Sequence, residues 1–504
     1  MEQNIYDNSN RVTEVIDALK QKTAWHYDKG SRITEITDKL GQTTGFEYDP
    51  HGNIITVKDR TGLKTNLEYD ANDNLVRVAD PMGGITNYAY DNMDNLTSFT
   101  DAAGKTTEYT YDLEGNLTSR KTPAGNTEKF GYDEKGRLTS HISPSGKKVS
   151  YDYDKLNDLL EKSYEDAKGK ETDPKVTYTY NKFGERISMK DGTGKSRYEY
   201  DALGKIIKAI NGSGKETCYV YDGADNLQEI IYPDGKKTGY EYDLNDNLIK
   251  VTDKNGSVTE YDYDALGRVT AAVRPNQTKT TVKYDAEDHI TKITNTCTSC
   301  GKEISSYAYT YNAQGYIVSE AASELEAGTR KEPSYEDWYN WGGKKLTEDT
   351  SCCHEEKTVI TKRTYKYDDN WELTRCTEKV EGGRKTVHNY TYDAVGNRTL
   401  YEKIEDGFTK EKYKYEYSDS NQMTRRINCM IWGDRGVRYQ YDGDGNLIKT
   451  TENSYDTPTQ YEYTAENRLA VVRQGENVLM AALCDGDGNR VFQIDNTYKW
   501  EDCY

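Results

Sequence analysis

The stretch Tyr111-Asp-Leu-Glu-Gly-Asn-Leu117 decides the fold, because close copies of it recur along nearly the whole chain of 504 residues. A second regular run begins at Tyr200, and from Tyr311 to Tyr463 the spacing loosens to between 22 and 28 residues. A near-constant period of this length is the sequence signature of a repeat protein. The first regular run opens at tyrosines 21 residues apart, namely Tyr27, Tyr48, Tyr69, Tyr90, Tyr111, Tyr132 and Tyr153.

Each copy contains a turn. Asp112-Leu-Glu-Gly115 has the residue preferences of a type I turn, with a capping carboxylate first and a glycine that accepts positive φ last. A second Asp-x-x-Gly turn follows half a period later, as at Asp101-Ala-Ala-Gly104. We therefore predict positive φ at the last turn position even where Gly is replaced by a residue that tolerates it. These replacements are Asp73, Asp94, Asn157, Asp225, Asp246 and Asp288.

Between the turns lie short runs rich in Thr, Tyr and β-branched residues that alternate at period two, as in Thr106-Thr-Glu-Tyr-Thr-Tyr111. One unit is therefore one β-hairpin plus a linking turn, and the chain is predicted to be all-β with almost no helix. About twenty-four such units give too many strands for a propeller of eight blades or fewer. A coiling strip of antiparallel sheet is the remaining architecture.

The composition is unusual for a folded chain: 34% of residues are hydrophobic and the formal net charge is −19, which is typical of disorder. The 45 tyrosines, against 6 phenylalanines, supply the missing apolar area as amphipathic rings. Tyr109 and Tyr111 lie two apart in one strand and share a face. We predict that such pairs stack into tyrosine ladders along the strip, buried by the Leu or Ile of the next unit.

The acidic balance argues against a nucleic-acid partner, which requires a basic face. No apolar run approaches the roughly 20 residues of a membrane span, and the N-terminus lacks the basic and apolar regions of a signal peptide. Since a repeat begins at Tyr6, we expect the chain to be a fragment of a longer protein.

The whole chain, 1–504, is interpreted as a single array without a compositional linker. The charged insertion is expected to form a solvated hairpin tip. The expected segments are regular repeats at 6–154, the insertion at 155–179, regular repeats at 180–295, repeats with longer loops at 296–440 and terminal repeats at 441–504.

The candidate metal ligands are Cys297, Cys300, Cys352, Cys353 and His354. Both cysteine groups fall at the second turn of their units, and Cys-x-x-Cys with a further Cys and His has the chemistry of a tetrahedral zinc site. Their units are two apart, about 19 Å along the edge at about 4.8 Å per strand. Zinc, a disulfide within the loops and unlinked thiols are therefore all retained as alternatives.

Other motifs give no chemistry. Asp442-Gly-Asp-Gly-Asn446 and Asp485-Gly-Asp-Gly-Asn489 resemble the start of a calcium loop, but Leu447 and Arg490 stand where that loop requires Gly. The six histidines lack paired metal spacing, and no serine lies in a nucleophile elbow. No catalytic residue and no cofactor other than the zinc candidate is predicted.

The Tyr-Asp-x-x-Gly-Asn/Arg-Leu units resemble the RHS or YD-repeat family, which includes bacterial Rhs toxins, the C component of insecticidal toxin complexes, wall-associated proteins and the teneurins. The resemblance covers essentially the whole chain. It implies a strip of antiparallel sheet that spirals into a hollow shell, which in the bacterial toxins encloses a C-terminal toxic polypeptide. Asp80-Pro81 and Asp173-Pro174 lie in repeat turns, and the family's self-cleaving core motif is not found up to Tyr504. Self-cleavage and toxicity are therefore assigned to no residue here.

The function we predict is that of a non-catalytic shell segment of a larger secreted or cell-surface protein, a scaffold or container for a C-terminal toxin or core region of the same polypeptide. Two alternatives remain open. One is a surface module that binds cell-wall glycans through its tyrosine faces. The other is the shell of a toxin enzyme whose catalytic part lies outside this chain.

Overall fold

The computed structural model describes residues 2–325, 358–431, 436–452 and 456–495. Within these ranges every regular element is a β-strand, so the predicted all-β class is confirmed there. The described part of the chain contains no helix long and apolar enough to cross a membrane.

The strands are short and follow one another at nearly even spacing. The first half comprises β1 (Gln3–Tyr6), β2 (Val12–Ile16), β3 (Lys22–Tyr27), β4 (Ile33–Thr37), β5 (Thr43–Tyr48), β6 (Ile54–Lys58), β7 (Lys64–Tyr69), β8 (Leu75–Ala79), β9 (Ile85–Tyr90), β10 (Leu96–Thr100), β11 (Thr106–Tyr111), β12 (Leu117–Lys121), β13 (Thr127–Tyr132), β14 (Leu138–Ile142), β15 (Lys148–Tyr153), β16 (Leu159–Glu165), β17 (Val176–Tyr180), β18 (Arg186–Asp191), β19 (Gly194–Tyr200), β20 (Ile206–Ile210), β21 (Glu216–Tyr221) and β22 (Leu227–Ile231). The second half comprises β23 (Lys237–Tyr242), β24 (Leu248–Thr252), β25 (Val258–Tyr263), β26 (Val269–Val273), β27 (Thr278–Tyr284), β28 (Ile290–Cys297), β29 (Glu303–Tyr311), β30 (Ile317–Leu325), β31 (Thr358–Tyr367), β32 (Leu373–Val380), β33 (Lys385–Tyr392), β34 (Arg398–Glu405), β35 (Phe408–Tyr417), β36 (Met423–Asn428), β37 (Gly436–Tyr441), β38 (Leu447–Thr451), β39 (Thr459–Tyr463), β40 (Leu469–Gln474), β41 (Asn477–Cys484) and β42 (Arg490–Asp495).

The described strands are assigned to one sheet, and neighbours in sequence pair antiparallel. In the β11–β12 hairpin, Thr110 lies opposite Ser119, but Tyr111 lies opposite Leu117, so the register shifts by one residue at the tyrosine. The same shift recurs at the corresponding tyrosine of other hairpins. It marks a β-bulge beside each Tyr-Asp turn.

The turn geometry explains the bulge. The Gly115 N–H donates to the Asp112 carbonyl, 3.2 Å away, and the Asp112 N–H donates to the Asn116 carbonyl, 3.0 Å away. Gly115 has a φ of +83°, so a type I turn is followed by one left-handed residue, the usual three-residue hairpin loop. The predicted positive φ is confirmed at the six replacements named above: Asp73 (66°), Asp94 (61°), Asn157 (74°), Asp225 (74°), Asp246 (62°) and Asp288 (67°).

The alternating turns give the strip two different edges. We call the edge with the Tyr-Asp-x-x-Gly turns the YD edge, and the edge with the intervening turns, such as 101–104, the mid edge. Each strand runs from one edge to the other, because the two turn types alternate along the chain.

The chain divides into two compact units. Unit 1 consists of Met1–Lys64, Thr238–Asn389 and Lys403–Thr409, and unit 2 of Thr65–Lys237, Tyr390–Glu402 and Lys410–Tyr504. Unit 2 contains a cluster of buried side chains, formed by Val149, Tyr164, Val176, Tyr178, Met189 and Ala465.

The irregular segments differ from expectation in two ways. In the insertion 155–179, residues 167–171 are exposed, as expected of a solvated tip, but Lys162 and Tyr164 are buried. Expecting that whole stretch to be solvated was therefore wrong, because β16 continues into it and packs on the unit 2 cluster. In the described part of 296–440 some strands are longer than in the regular repeats, since β29 and β35 have 9 and 10 residues.

Candidate functional site

The repeated tyrosine ties many units to the one before them. The Tyr111 hydroxyl donates to the Leu96 carbonyl, 3.0 Å away, and Tyr48 makes the same bond to Ile33 at 2.6 Å. Burial raises the pKa of Tyr111, so the hydroxyl keeps its proton and remains a donor. The tyrosine is therefore a structural group, as its recurrence in every unit predicted.

The tyrosine ladders differ from the prediction. The rings are half-buried, but in the regular repeats successive units lie about 9.6 Å apart, too far for the 4.5–7 Å of direct ring contact. On β33 to β35 a row does form, with Tyr401 5.5 Å from Tyr390 and 6.2 Å from Tyr413 between ring centres. In several units an arginine fills the gap: the Arg137 guanidinium lies 4.9 Å from the centre of the Tyr153 ring, donates through Nε to Asp133 and donates to the Asp154 carbonyl. An arginine over a tyrosine ring is a favourable cation–π arrangement.

The repeated aspartate caps its own turn. The Asp112 carboxylate accepts the Asn116 N–H at 2.8 Å, the Asn116 side-chain amide at 3.0 Å and the Glu114 N–H at 3.1 Å. The amide of Asn116 is the largest cause that holds the pKa of Asp112 below its ordinary value. Asp442, which begins one of the calcium-like stretches, accepts the same three bonds from Asp444 and Asn446, so its oxygens serve the turn.

In unit 2 the mid edge of one stretch contacts the YD edge of another about 300 residues later, and we call these contacts the unit 2 seam. The Asp444 carboxylate accepts the N–H and the hydroxyl of Ser145, at 2.8 and 2.7 Å. The Lys162 ammonium donates to Glu466 at 2.8 Å and to the Gly486 carbonyl at 3.0 Å. Each bond joins residues that are distant in sequence, so the seam is tertiary structure rather than part of a repeat.

The seam ends in a bidentate ion pair. Both terminal nitrogens of Arg186 donate to the two oxygens of Asp487, at 2.7 and 2.6 Å. The hydrogen bond to Asp487 is the largest cause that raises the pKa of Arg186. Beside it, the Asp191 carboxylate accepts the Gly486 N–H at 2.7 Å. The turn 485–488 is thereby bonded to the other stretch through the Gly486 N–H and through the Asp487 carboxylate.

The 485–488 turn fits closely against β17 and β18. A Cβ placed on Gly486 would lie 2.5 Å from Val176 Cγ1 and 3.0 Å from Met189 Sδ, both inside contact distance. Met189 is 1% exposed, so these side chains have little room to move. Only glycine fits at this turn position.

A cavity of about 260 Å³ opens beside the seam, lined by Tyr164, Asp173, Asp191, Glu466 and Cys484 among others. Its carboxylates already have partners: Asp191 and Glu466 accept the seam bonds above, and Asp173 accepts the Ala465 N–H at 3.3 Å. Burial raises the pKa of Tyr164, which keeps that hydroxyl protonated. The arrangement serves contact between stretches of sheet.

Unit 1 has a seam of the same kind. Glu287, in a YD turn, accepts the Lys39 N–H at 2.8 Å, and Arg60 lies 3.3 Å from its carboxylate. Arg60 also pairs with Asp38 at 3.1 Å and donates to the Ala313 carbonyl at 3.4 Å. As in unit 2, residues of the mid edge bond to residues of the YD edge, and the bonded residues are about 250 positions apart in the chain.

The cysteine candidates are only partly described. Cys297 is buried and takes part in a disulfide bond, whereas Cys300 is exposed. A disulfide sulfur is not a thiolate, so Cys297 in this state is not a zinc ligand. Cys352, Cys353 and His354 lie outside the described residues, and zinc or a disulfide there stays a prediction. Elsewhere in the described ranges, no three His, Cys, Asp or Glu side chains are grouped as metal ligands.

Sequence reasoning missed the seam residues Lys162, Arg186, Glu466 and Asp487. No local pattern marks them, because their partners are more than 300 residues away. One signal available in the sequence was that Tyr164 and Met189 are large side chains at positions outside the repeat consensus; both are buried in the structure.

Comparisons with known proteins agree with this architecture. The family model described as Teneurin YD-shell matches residues 2–172 and 155–252, and the model described as RHS Repeat matches 242–279 and 263–296. The chain is 30% identical over 302 residues to the tRNA3(Ser)-specific nuclease WapA of Bacillus spizizenii and 28% identical over 300 residues to the tRNA nuclease WapA of Bacillus subtilis. Each alignment covers 57% of this chain and 12% of the relative.

Solved structures share the fold across nearly the whole chain. The crystal structure of TcdB2-TccC3-Cdc42 superposes on 99% of this chain and 29% of its own, with a TM-score of 0.72 and 14% identity. The Photorhabdus luminescens Tc holotoxin pore with a TccC3 substitution covers 95% of this chain, with a TM-score of 0.69. At this identity the likeness concerns the fold alone.

Proposed function

Because the chain belongs to the RHS/YD-repeat family, we propose that it forms part of the wall of a hollow shell that holds a C-terminal polypeptide of the same protein. The chain is a YD-repeat scaffold similar in fold to the Tc toxin shells. The observation that supports the proposal is the pair of seams, because within each unit the strip bonds to itself about 250 or 300 residues later, as the wall of a container requires.

We also propose that this wall has no catalytic activity of its own. The recurring Tyr and Asp side chains are used by hydrogen bonds within and between hairpins, and the carboxylates beside the cavity bond to backbone or lysine. The nuclease activity in the names of the WapA relatives belongs to proteins about eight times longer than the aligned stretch, so it is not carried over.

A secreted or cell-surface location fits this proposal. Disulfides persist in oxidising compartments, and Cys297 is disulfide-bonded. The glycan-binding alternative is less favoured, because stacking on sugars requires open aromatic faces. Among the described tyrosines, only Tyr6 and Tyr316 are exposed.

Protease protection tests the container. An unfolded reporter polypeptide is fused after residue 504 and digested beside the free reporter. We expect the fused reporter to be cleaved much more slowly, and the variant Lys162→Glu, which places a second carboxylate against Glu466, to abolish the protection. The matched control Lys168→Glu changes the same charge on an exposed tip. Equal cleavage of fused and free reporter contradicts the container, and binding of the chain to wall polysaccharide favours the glycan module instead.

A further inference from the structure

Five successive turns on the YD edge of unit 2 form a stretch that we call the apolar rim, and four of them carry a large exposed apolar side chain. It comprises the turns that begin at Asp91, Asp112, Asp133, Asp154 and Asn181. Met93, Leu113, Leu156 and Phe183 are 58%, 86%, 77% and 74% exposed. Exposed apolar groups that lie in a row mark interaction surfaces more often than scattered ones do.

The rim differs in chemistry from the YD turns of the unit 2 seam. The seam turns place Gly486 and Asp487, or Ala465 and Glu466, at their central positions, so they present small or acidic groups to the mid edge. The rim presents leucine, methionine and phenylalanine together with charged side chains of both signs. The rim therefore suits a partner different from the mid edge, which the seam turns contact.

The charges along the rim are ordered. Reading the central pairs in turn, Leu113-Glu114 is followed by Glu134-Lys135 and then by Lys155-Leu156, all of them exposed. Acidic groups lie before the middle turn and basic groups after it. If a second copy is rotated by 180°, its turns run in the opposite order. The acidic side of one rim then lies opposite the basic side of the other.

We propose that a second copy of this chain docks on the apolar rim about a two-fold axis through the Glu134-Lys135 turn. A two-fold contact is isologous, so one patch pairs with the same patch reversed. The first central residue of a turn lies toward the preceding strand and the second toward the following one, and the reversal therefore sets first against second.

This operation matches each central residue with a suitable partner. Leu113 faces Leu156 of the partner copy, Glu114 faces its Lys155, and Glu134 faces its Lys135. One interval further out, about 9.6 Å along the edge, the Asn92-Met93 turn faces the Lys182-Phe183 turn. Two copies of each apolar pair and each ion pair result, and no like charges are opposed at these positions.

The contact is small, so the dimer is weak. Five turns bury less than about 1,200 Å², the range of transient complexes, and we expect a dissociation constant of roughly 1–10 µM. The net charge of −19 on each copy adds a general repulsion that salt screens.

Charge reversal tests the pairing by sedimentation velocity and light scattering on the full chain. The variants Glu114→Lys and Lys155→Glu each oppose like charges twice across the axis, and each is expected to raise the dissociation constant at least tenfold. The double variant Glu114→Lys with Lys155→Glu restores both pairs and the original net charge, and is expected to dimerise like the unaltered chain. General repulsion predicts instead that the two single variants change affinity in opposite directions.

The apolar part is tested by Leu156→Asp, which is expected to abolish the dimer, with Leu244→Asp as the control. Leu244 is a fully exposed turn leucine outside the rim and is expected to have no effect. Circular dichroism checks that each variant keeps its strands. The proposal is overturned if the chain stays monomeric to about 100 µM, well above the range expected for such a contact. It is also overturned if neither Leu156→Asp nor the charge reversals change the affinity of the dimer.

Discussion

The fit of the 485–488 turn against β17 and β18 predicts opposite effects of the same substitution at two equivalent positions. Gly486 and Gly223 are both the first central residue of a YD turn. A Cβ on Gly486 would lie 2.5 Å from Val176, whereas a Cβ on Gly223 has nothing within 4 Å. Neither glycine has positive φ, so Ala suits the backbone at both sites.

The magnitude follows from these contacts. At Gly223, Ala restricts the unfolded chain and stabilises by about 0.4–1 kcal/mol. At Gly486 the same gain is opposed by overpacking, which destabilises by about 1–3 kcal/mol when a methyl group is forced into a filled space. Ala restricts the unfolded chain equally at both sites, so the free energies of unfolding of the two variants differ by the overpacking at Gly486, about 1–3 kcal/mol.

The assay is native-state hydrogen exchange, because a long repeat array does not unfold in one two-state step. We expect Gly486→Ala to accelerate amide exchange in β17 and β18 by about five- to 150-fold relative to Gly223→Ala, since 1.4 kcal/mol is tenfold. Equal exchange in the two variants would refute the packing of this turn on Val176 and Met189.

Three further predictions concern the repeat unit. Gly115→Val is expected to destabilise its hairpin by about 1 kcal/mol or more and Gly115→Asn by less, because φ is +83°; equal losses in local exchange protection would show that positive φ is unimportant. Tyr111→Phe leaves the Leu96 carbonyl without its hydroxyl donor and is expected to weaken the junction by about 1 kcal/mol, measured by exchange in β10 and β11, with no change contradicting it. The pKa of Asp112 is lowered by the Asn116 amide, so the capping stability is fully present above about pH 4 and is lost as pH falls through the folded pKa; a denaturation midpoint that rises from pH 5 to about pH 3 would contradict it.

The hairpins could be predicted from the sequence because each is specified locally. Asp112 and Gly115 fix a turn by bonds within five residues, and Asp73 or Asn157 keep the same backbone when glycine is lost. The period then repeats that geometry, and the all-β class follows.

The seams could not be predicted in this way. In the sequence, Lys162 is one of many charged residues in the insertion. In the structure it is buried, because its ammonium donates to Glu466, which lies 304 residues later in the chain. Which turns meet depends on small rotations summed over many hairpins, and an error of a few degrees in each changes the partner. The tyrosine ladder departs from the prediction for a simpler reason, since in the regular repeats the distance between units exceeds direct ring contact and Arg137 lies over the Tyr153 ring. Tyr390, Tyr401 and Tyr413 nevertheless form a row of ring contacts.

The central turn positions are therefore where this chain encodes what is specific to it. Tyr, Asp and the positive-φ residue are used in bonds that recur in many hairpins, so they do little to distinguish one turn from another. The two residues between them project from the edge, and their size and charge decide what that edge contacts. Gly486-Asp487 is small and acidic and enters the seam beside Arg186, whereas Lys155-Leu156 is large and exposed and remains available at the rim. A strip of identical hairpins can in this way contact itself on one stretch of edge and a second copy on another.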